Sequence, residues 1–201
     1  MGSACEAMVQ TFGASRQESE MFAARSHGCA VAATTAGHYR EQIVPVQTAQ
    51  VTVTEDNSPR ADTTVEKLAR LKPVFDRERG VITAGNASRF TDGAGALLLG
   101  ALGQVQAHGL QPLAIVRDYL LAGVGSLETE MLLGPALTIP KILARNGLQF
   151  DAIGVWEIHE AFATQVLINR QCMASREFVN QRFGAEFPCG EIPMDRLNNW
   201  G

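Results

Sequence analysis

The stretch "DAIGVWEIHEAFATQVLINRQCM", residues 151–173, decides how the chain is read. An apolar run from Ala152 to Ile158 has strand character and stops at a polar pair, His159 and Glu160. A helical pattern follows through Gln165, Val166, Ile168 and Cys172. A strand running straight into a helix is the repeating step of an α/β protein. The imidazole then stands at the C-terminal end of a strand, where open α/β sheets usually place ligands. A zinc motif of the H-E-x-x-H type fails, because the fourth residue after His159 is Ala163.

Outward from this point the pattern repeats. Strand readings fall on "GVIT" at 80–83, "PLAIVRDYLLAG" at 112–123 and "DAIGVWEI" at 151–158. Helix readings fall on 3–12, on 15–37 with a Ser15/Glu18 capping box, on "TTVEKLARLKPVF" broken at Pro73, on "GPALTIPKILARNGL" ending at Gly147, and on 160–173. "EQIVPVQTAQVTVTEDNSPRAD" is β-rich, and Pro45 suits an edge strand. The spacing predicts an α/β sheet covered on both faces, with residues 1–79 as a lobe of different texture.

Composition narrows the partners. A hydrophobic content of 46% and a charged content of 19% describe a packed chain, and the net charge of −4 offers no basic field for nucleic acid. "ALLLGAL" at 96–102 is far shorter than the roughly 20 apolar residues of a membrane span. Cys5, Cys29, Cys172 and Cys189 follow no metal spacing and have no helper histidine nearby, so each reads as a structural thiol and no metal is expected.

"TAGNASRFTDGAGA" at 83–96 lacks the Gly-Lys-Ser/Thr of a P-loop and the third glycine of a dinucleotide fingerprint. Its small residues would let backbone approach a ligand, and they fit a packing loop between strand and helix equally well. His159 could donate to a developing oxyanion directly or through a water, or move a proton; bracing the next helix is the alternative. Glu160 is expected in the first helical turn, where a carboxylate suits the dipole. His27, His38 and His108 have no visible partner and read as structural.

"MGSACEAMVQTFGASRQESEMFAARSH", "EQIVPV", "DTTVEKLARLKPVF", "GVITAGNASRFTDGAGALLL" and "WEIHEAFATQVL" stand in the order they have in thiolases, and this resemblance spans essentially the whole chain. It implies a thiolase-like layered αβαβα fold, incomplete here. Residues 1–79 would be the loop lobe inserted in the N-terminal half, 80–109 the last strand and helix of that half, and 110–201 the first part of the C-terminal half. Thiolases usually carry Asn-Glu-Ala-Phe where this chain has His159-Glu160-Ala161-Phe162. That version, with "RLNNWG" at 196–201, is similar to the β-subunit of the mitochondrial trifunctional β-oxidation complex and its bacterial counterparts.

The resemblance implies thiolysis of 3-ketoacyl-CoA to acyl-CoA and acetyl-CoA, with coenzyme A as co-substrate and no covalently bound cofactor. His159 would take the oxyanion-hole position. Ser88, Ala84 and Ala87 would lie along the pantetheine arm with Met1 beside it, and Arg60 would lie near the CoA nucleotide. Ala161 and Phe162 would line the substrate channel. A homodimer is implied, with a hydratase/dehydrogenase α-subunit as further partner. No nucleic-acid partner is expected, and the resemblance implies membrane contact only through the complex and a mitochondrial location. The family's nucleophilic cysteine would lie upstream of residue 1, and its Gly-His-Pro histidine beyond residue 201. The chain therefore reads as an internal segment expected to be inactive alone. The alternatives are a biosynthetic thiolase and a non-catalytic, thiolase-like chain that binds CoA or lipid or joins another subunit.

Overall fold

A computed structural model describes residues 1–201. The first helix, α1 (Gly2–Phe12), is followed by α2 (Arg16–Ala36). The Ser15 side chain accepts from the Glu18 N–H, and the Glu18 carboxylate accepts from the Ser15 N–H, so the expected capping box closes α2 at its start. A left-handed Gly37 ends it. A two-stranded antiparallel hairpin comes next, β1 (Val46–Gln47) with β2 (Thr52–Val53). The remaining helices are α3 (Val65–Leu68), α4 (Leu102–Ala107), α5 (Gly134–Arg145), α6 (Ala163–Ala174) and α7 (Arg176–Arg182). None is long and apolar enough to cross a membrane.

Helix α6 is the centre of the packing, touching α1, α2, α5 and α7. Its Val166, Ile168 and Met173 are wholly buried and meet Met8 of α1, Phe22 of α2 and Leu137 of α5 in one apolar cluster. Each side chain so buried contributes about 1.5–3 kcal/mol. Several polar groups in this core are paired across elements, while the Gln165 Oε1 and the Trp156 Nε1 have no partner. Ser19 of α2 and Thr164 of α6 share a buried hydroxyl–hydroxyl bond of 2.9 Å. The Glu6 carboxylate of α1 accepts the N–H groups of Val81 and Ile82 at 3.0 and 2.9 Å. That contact ties the loop beginning at residue 81 to the first helix.

Three expected strands form no ladder. Segment 80–83 makes one bridge, Pro73 to Thr83, and 151–158 makes one parallel bridge, Trp156 to Leu197, after a 3-10 turn at Phe150–Ala152. Segment 112–123 forms neither strand nor bridge and is largely solvent-facing, with Leu113 fully exposed. A strand is defined by its neighbours, and these segments find at most one within the chain. The helix expected before residue 109 is confined to α4, because Gly93, Gly95 and Gly100 disfavour helix and the leucines between them meet no packing face. Trp156 stacks on Phe150 at 5.6 Å and is buried.

Candidate active site

An open cavity of about 800 Å³ lies between α2, the loops 58–63 and 84–91, and the chain segment 157–160. Its walls are positioned from the core outward. Asn86 is buried and closes the 81–88 loop on itself: its Oδ1 accepts the Thr83 N–H at 2.8 Å and its Nδ2 donates to the Val81 carbonyl at 2.9 Å. The loop is then joined to the entry of α6. Ser88 N–H donates to the Ala161 carbonyl at 2.9 Å, and Ala163 N–H donates to the Asn86 carbonyl at 2.9 Å. These bonds make the bridge Ala87–Phe162 and hold Phe162 extended, so the helix begins at Ala163.

Arg60, Ala84, Ala87, Ser88 and His159 all line this one cavity. Met1, Ala161 and Phe162 stand outside its walls. Met1 is exposed at the start of α1, Ala161 packs beside Cys5 and Ile82, and buried Phe162 meets Phe75 edge to face at 6.4 Å. Glu160 precedes the helix rather than sitting in its first turn. Its carboxylate accepts instead from the Asn198 side-chain amide at 2.6 Å.

Two further residues in the cavity wall, His27 and Asn198, were not legible as site residues. His27, on α2, accepts the Arg60 N–H on Nδ1 at 3.2 Å and so pins the Arg60 loop. Burial and the Arg60 charge push its imidazole below the ordinary value, against the opposing pull of Glu160 and Asp62. Asn198 reaches the residue before His159. No spacing in the sequence signals either contact, since the partners lie 33 and 40 residues apart.

The four thiols are free, and none lines the cavity. Burial pushes the Cys5 and Cys172 thiols up to about 12, which leaves them protonated and poorly nucleophilic. Cys189 is half-buried and donates to the Ala174 carbonyl at 3.4 Å. What the cavity does offer is a backbone-lined floor of small residues at 84–88, a cation at Arg60, and an exposed imidazole at His159.

Residues 1–101 match the model of the thiolase N-terminal domain, and residues 110–198 that of the thiolase C-terminal domain. A 3-ketoacyl-CoA thiolase of Pectobacterium carotovorum is 36% identical over 203 residues, a match covering 100% of this chain and 46% of that protein. Among solved structures, the Bacillus anthracis acetyl-CoA acetyltransferase superposes with a TM-score of 0.84 at 35% identity, covering 100% of this chain and 47% of the other. The dimeric peroxisomal thiolase of Saccharomyces cerevisiae gives 0.84 at 32%, with the same coverage. The chain thus spans about half the length of the relatives it matches.

Proposed function

This chain belongs to the thiolase family, and from that premise we propose that it forms the CoA-facing part of a 3-ketoacyl-CoA thiolase acting in fatty-acid β-oxidation. The observation that carries the reading is the meeting of Arg60, Ala84, Ala87, Ser88 and His159 in one cavity, although they come from segments far apart in the chain. In this reading the small-residue loop lies along the pantetheine arm, and Arg60 neutralises phosphate at the mouth. His159 supplies an N–H, directly or through a water, to the enolate oxygen that forms when the bond between the α- and keto carbons breaks. Thiolysis itself needs a thiolate to attack the keto carbon, and a second CoA thiol to take the acyl group from it.

The chain's own cysteines support a narrower statement about residues 1–201. None stands in the cavity, and two are held protonated by burial. We therefore read the segment as binding CoA without performing thiolysis by itself. A mitochondrial location, a homodimer and a hydratase/dehydrogenase α-subunit belong to the same proposal, and rest on the His159 motif and on "RLNNWG" at 196–201. Isothermal titration of the chain with CoA tests the reading, alongside Ser88→Trp, which fills the floor of the cleft. Binding by the parent and its loss in the variant are expected. Equal affinity in both would sink it, and thiolysis by the chain alone would overturn the non-catalytic part.

A further inference from the structure

Asn198 is the only non-glycine residue with a positive φ, at 45°. Its side chain is almost completely buried, and its carboxamide is fully used. Oδ1 accepts the Ile158 N–H at 2.8 Å, and Nδ2 donates to the Ile158 carbonyl at 2.8 Å. One side chain thus gives Ile158 the pair of bonds that a neighbouring strand would give it. The remaining Nδ2 proton goes to the Glu160 carboxylate at 2.6 Å. Main-chain bonds lead up to this point: Trp156 N–H donates to the Arg196 carbonyl at 2.7 Å, and Asn198 N–H to the Trp156 carbonyl at 2.9 Å. The turn that presents Asn198 is itself anchored, because Arg25 of α2 donates to the carbonyls of Met194 and Leu197 at 2.6 and 2.8 Å.

We infer that Asn198 is the positioning residue for His159. It holds the residue before the imidazole by both of its peptide groups and the residue after it by its carboxylate. The imidazole's point of entry into the cavity is therefore set by a side chain 39 positions away in sequence. The left-handed backbone is the geometric condition for this, since it turns the short amide back onto the strand end, and asparagine tolerates that conformation better than most residues. An aspartate would accept from the Ile158 N–H but set its second oxygen against the Ile158 carbonyl and the Glu160 carboxylate. A glycine would keep the backbone and delete the amide. The functional weight of the inference rests on the cavity reading above; its structural content does not.

The test is NMR of the ring nitrogens and their carbon-bound protons in the ¹⁵N-labelled chain, comparing the parent with Asn198→Gly. His159 resonances should shift or broaden in the variant, while those of His108, at the C-terminal cap of α4 and outside the cavity, stay in place and the helical circular dichroism is kept. With CoA added, Ser88 should respond in both proteins and His159 in the parent only. A folded Asn198→Gly chain with unmoved His159 resonances overturns the inference, since a merely structural asparagine would lower the melting temperature and nothing more. If the variant does not fold, hydrogen exchange in the parent decides. Slow exchange of the Asn198 side-chain amide and the Ile158 N–H supports the clamp, and rapid exchange overturns it. Silence of every parent resonance toward CoA would sink the cavity reading alone, because the ligand-free spectra still judge Asn198.

Discussion

Asn169, wholly buried in the middle of α6, accepts the Ala136 N–H through Oδ1 at 2.8 Å and so caps α5 from a neighbouring helix. Its Nδ2 donates to the Leu132 and Gln165 carbonyls, both at 2.8 Å. Helix α5 has no side-chain cap of its own, so one of its unsatisfied first-turn donors depends on this amide. Asn169→Leu should therefore destabilise the chain by about 2–4 kcal/mol, because it orphans a buried donor and a buried acceptor together. Asn169→Asp keeps the acceptor but sets an unpaired, buried carboxylate oxygen against the Leu132 and Gln165 carbonyls, and should cost more than the leucine. Urea unfolding of the two variants ranks them, and the reverse order would show that volume rather than pairing decides.

The Glu6 carboxylate holds the Val81 and Ile82 N–H groups at the root of the cavity loop without lining the cavity. Glu6→Gln retains one acceptor oxygen and turns an N–H₂ toward the second peptide donor. A loss of about 1–3 kcal/mol is expected, from that unmet bond at a buried site. If the loop is a floor for CoA, the variant should also bind CoA more weakly than a control of equal stability, such as Val179→Ala in α7. Calorimetric affinities that follow global stability alone would contradict this.

His27 gives a pH dependence whose sign is fixed by its hydrogen bond. Its Nδ1 must be unprotonated to accept the Arg60 N–H, and burial with the Arg60 charge holds the folded imidazole below its ordinary value. The unfolded chain then binds more protons in the interval between the two values, so stability rises with pH across it. This contribution is complete above an ordinary histidine value of about 6.5, and is lost as pH falls through the depressed folded value. Protection of the Arg60 N–H, taken relative to its intrinsic exchange rate, should be highest above the ordinary histidine value and should fall once pH drops through the depressed folded value. His27→Asn offers an acceptor that does not titrate and should flatten the profile. A profile unchanged by the substitution would assign the effect to another group.

Much of the helical part of the fold was legible because its signals are local. Ser15 and Glu18 announce the start of α2 three residues apart, and the structure shows both bonds of the box. The apolar spacing of α6 was equally plain, but its first turn was not. Phe162 is held extended by the bridge to Ala87, a contact spanning 75 residues that overrides the helical preference of Glu160 and Ala161. Strand readings at 112–123 failed for a related reason: β-branched and apolar residues give a segment the capacity to pair, and pairing needs a partner. In the cavity, residue types raised the 83–96 loop and His159 only as candidates and the resemblance narrowed the loop to Ala84, Ala87 and Ser88, whereas His27 and Asn198 act through contacts that only folding creates.

The same unpaired segments make a prediction about the chain in solution. Leu97, Leu98, Leu113, Ile115 and Leu121 are largely exposed on backbone outside any helix or strand, and exposed apolar surface of this kind associates. Residues 1–201 should self-associate as concentration rises and should bind a hydrophobic dye although their helices are intact. Replacing Leu97, Leu113 and Ile115 together by lysine removes apolar surface without emptying any core position, since none of the three belongs to the apolar clusters around α6 or Cys5. The triple variant should stay monomeric at concentrations where the parent associates, with the thermal midpoint little changed, because exposed positions contribute little to folding stability. Sedimentation of both proteins over a concentration series checks this. A parent that remains monomeric and leaves the dye dark would mean that these leucines are covered in solution. A triple variant that unfolds would mean the same.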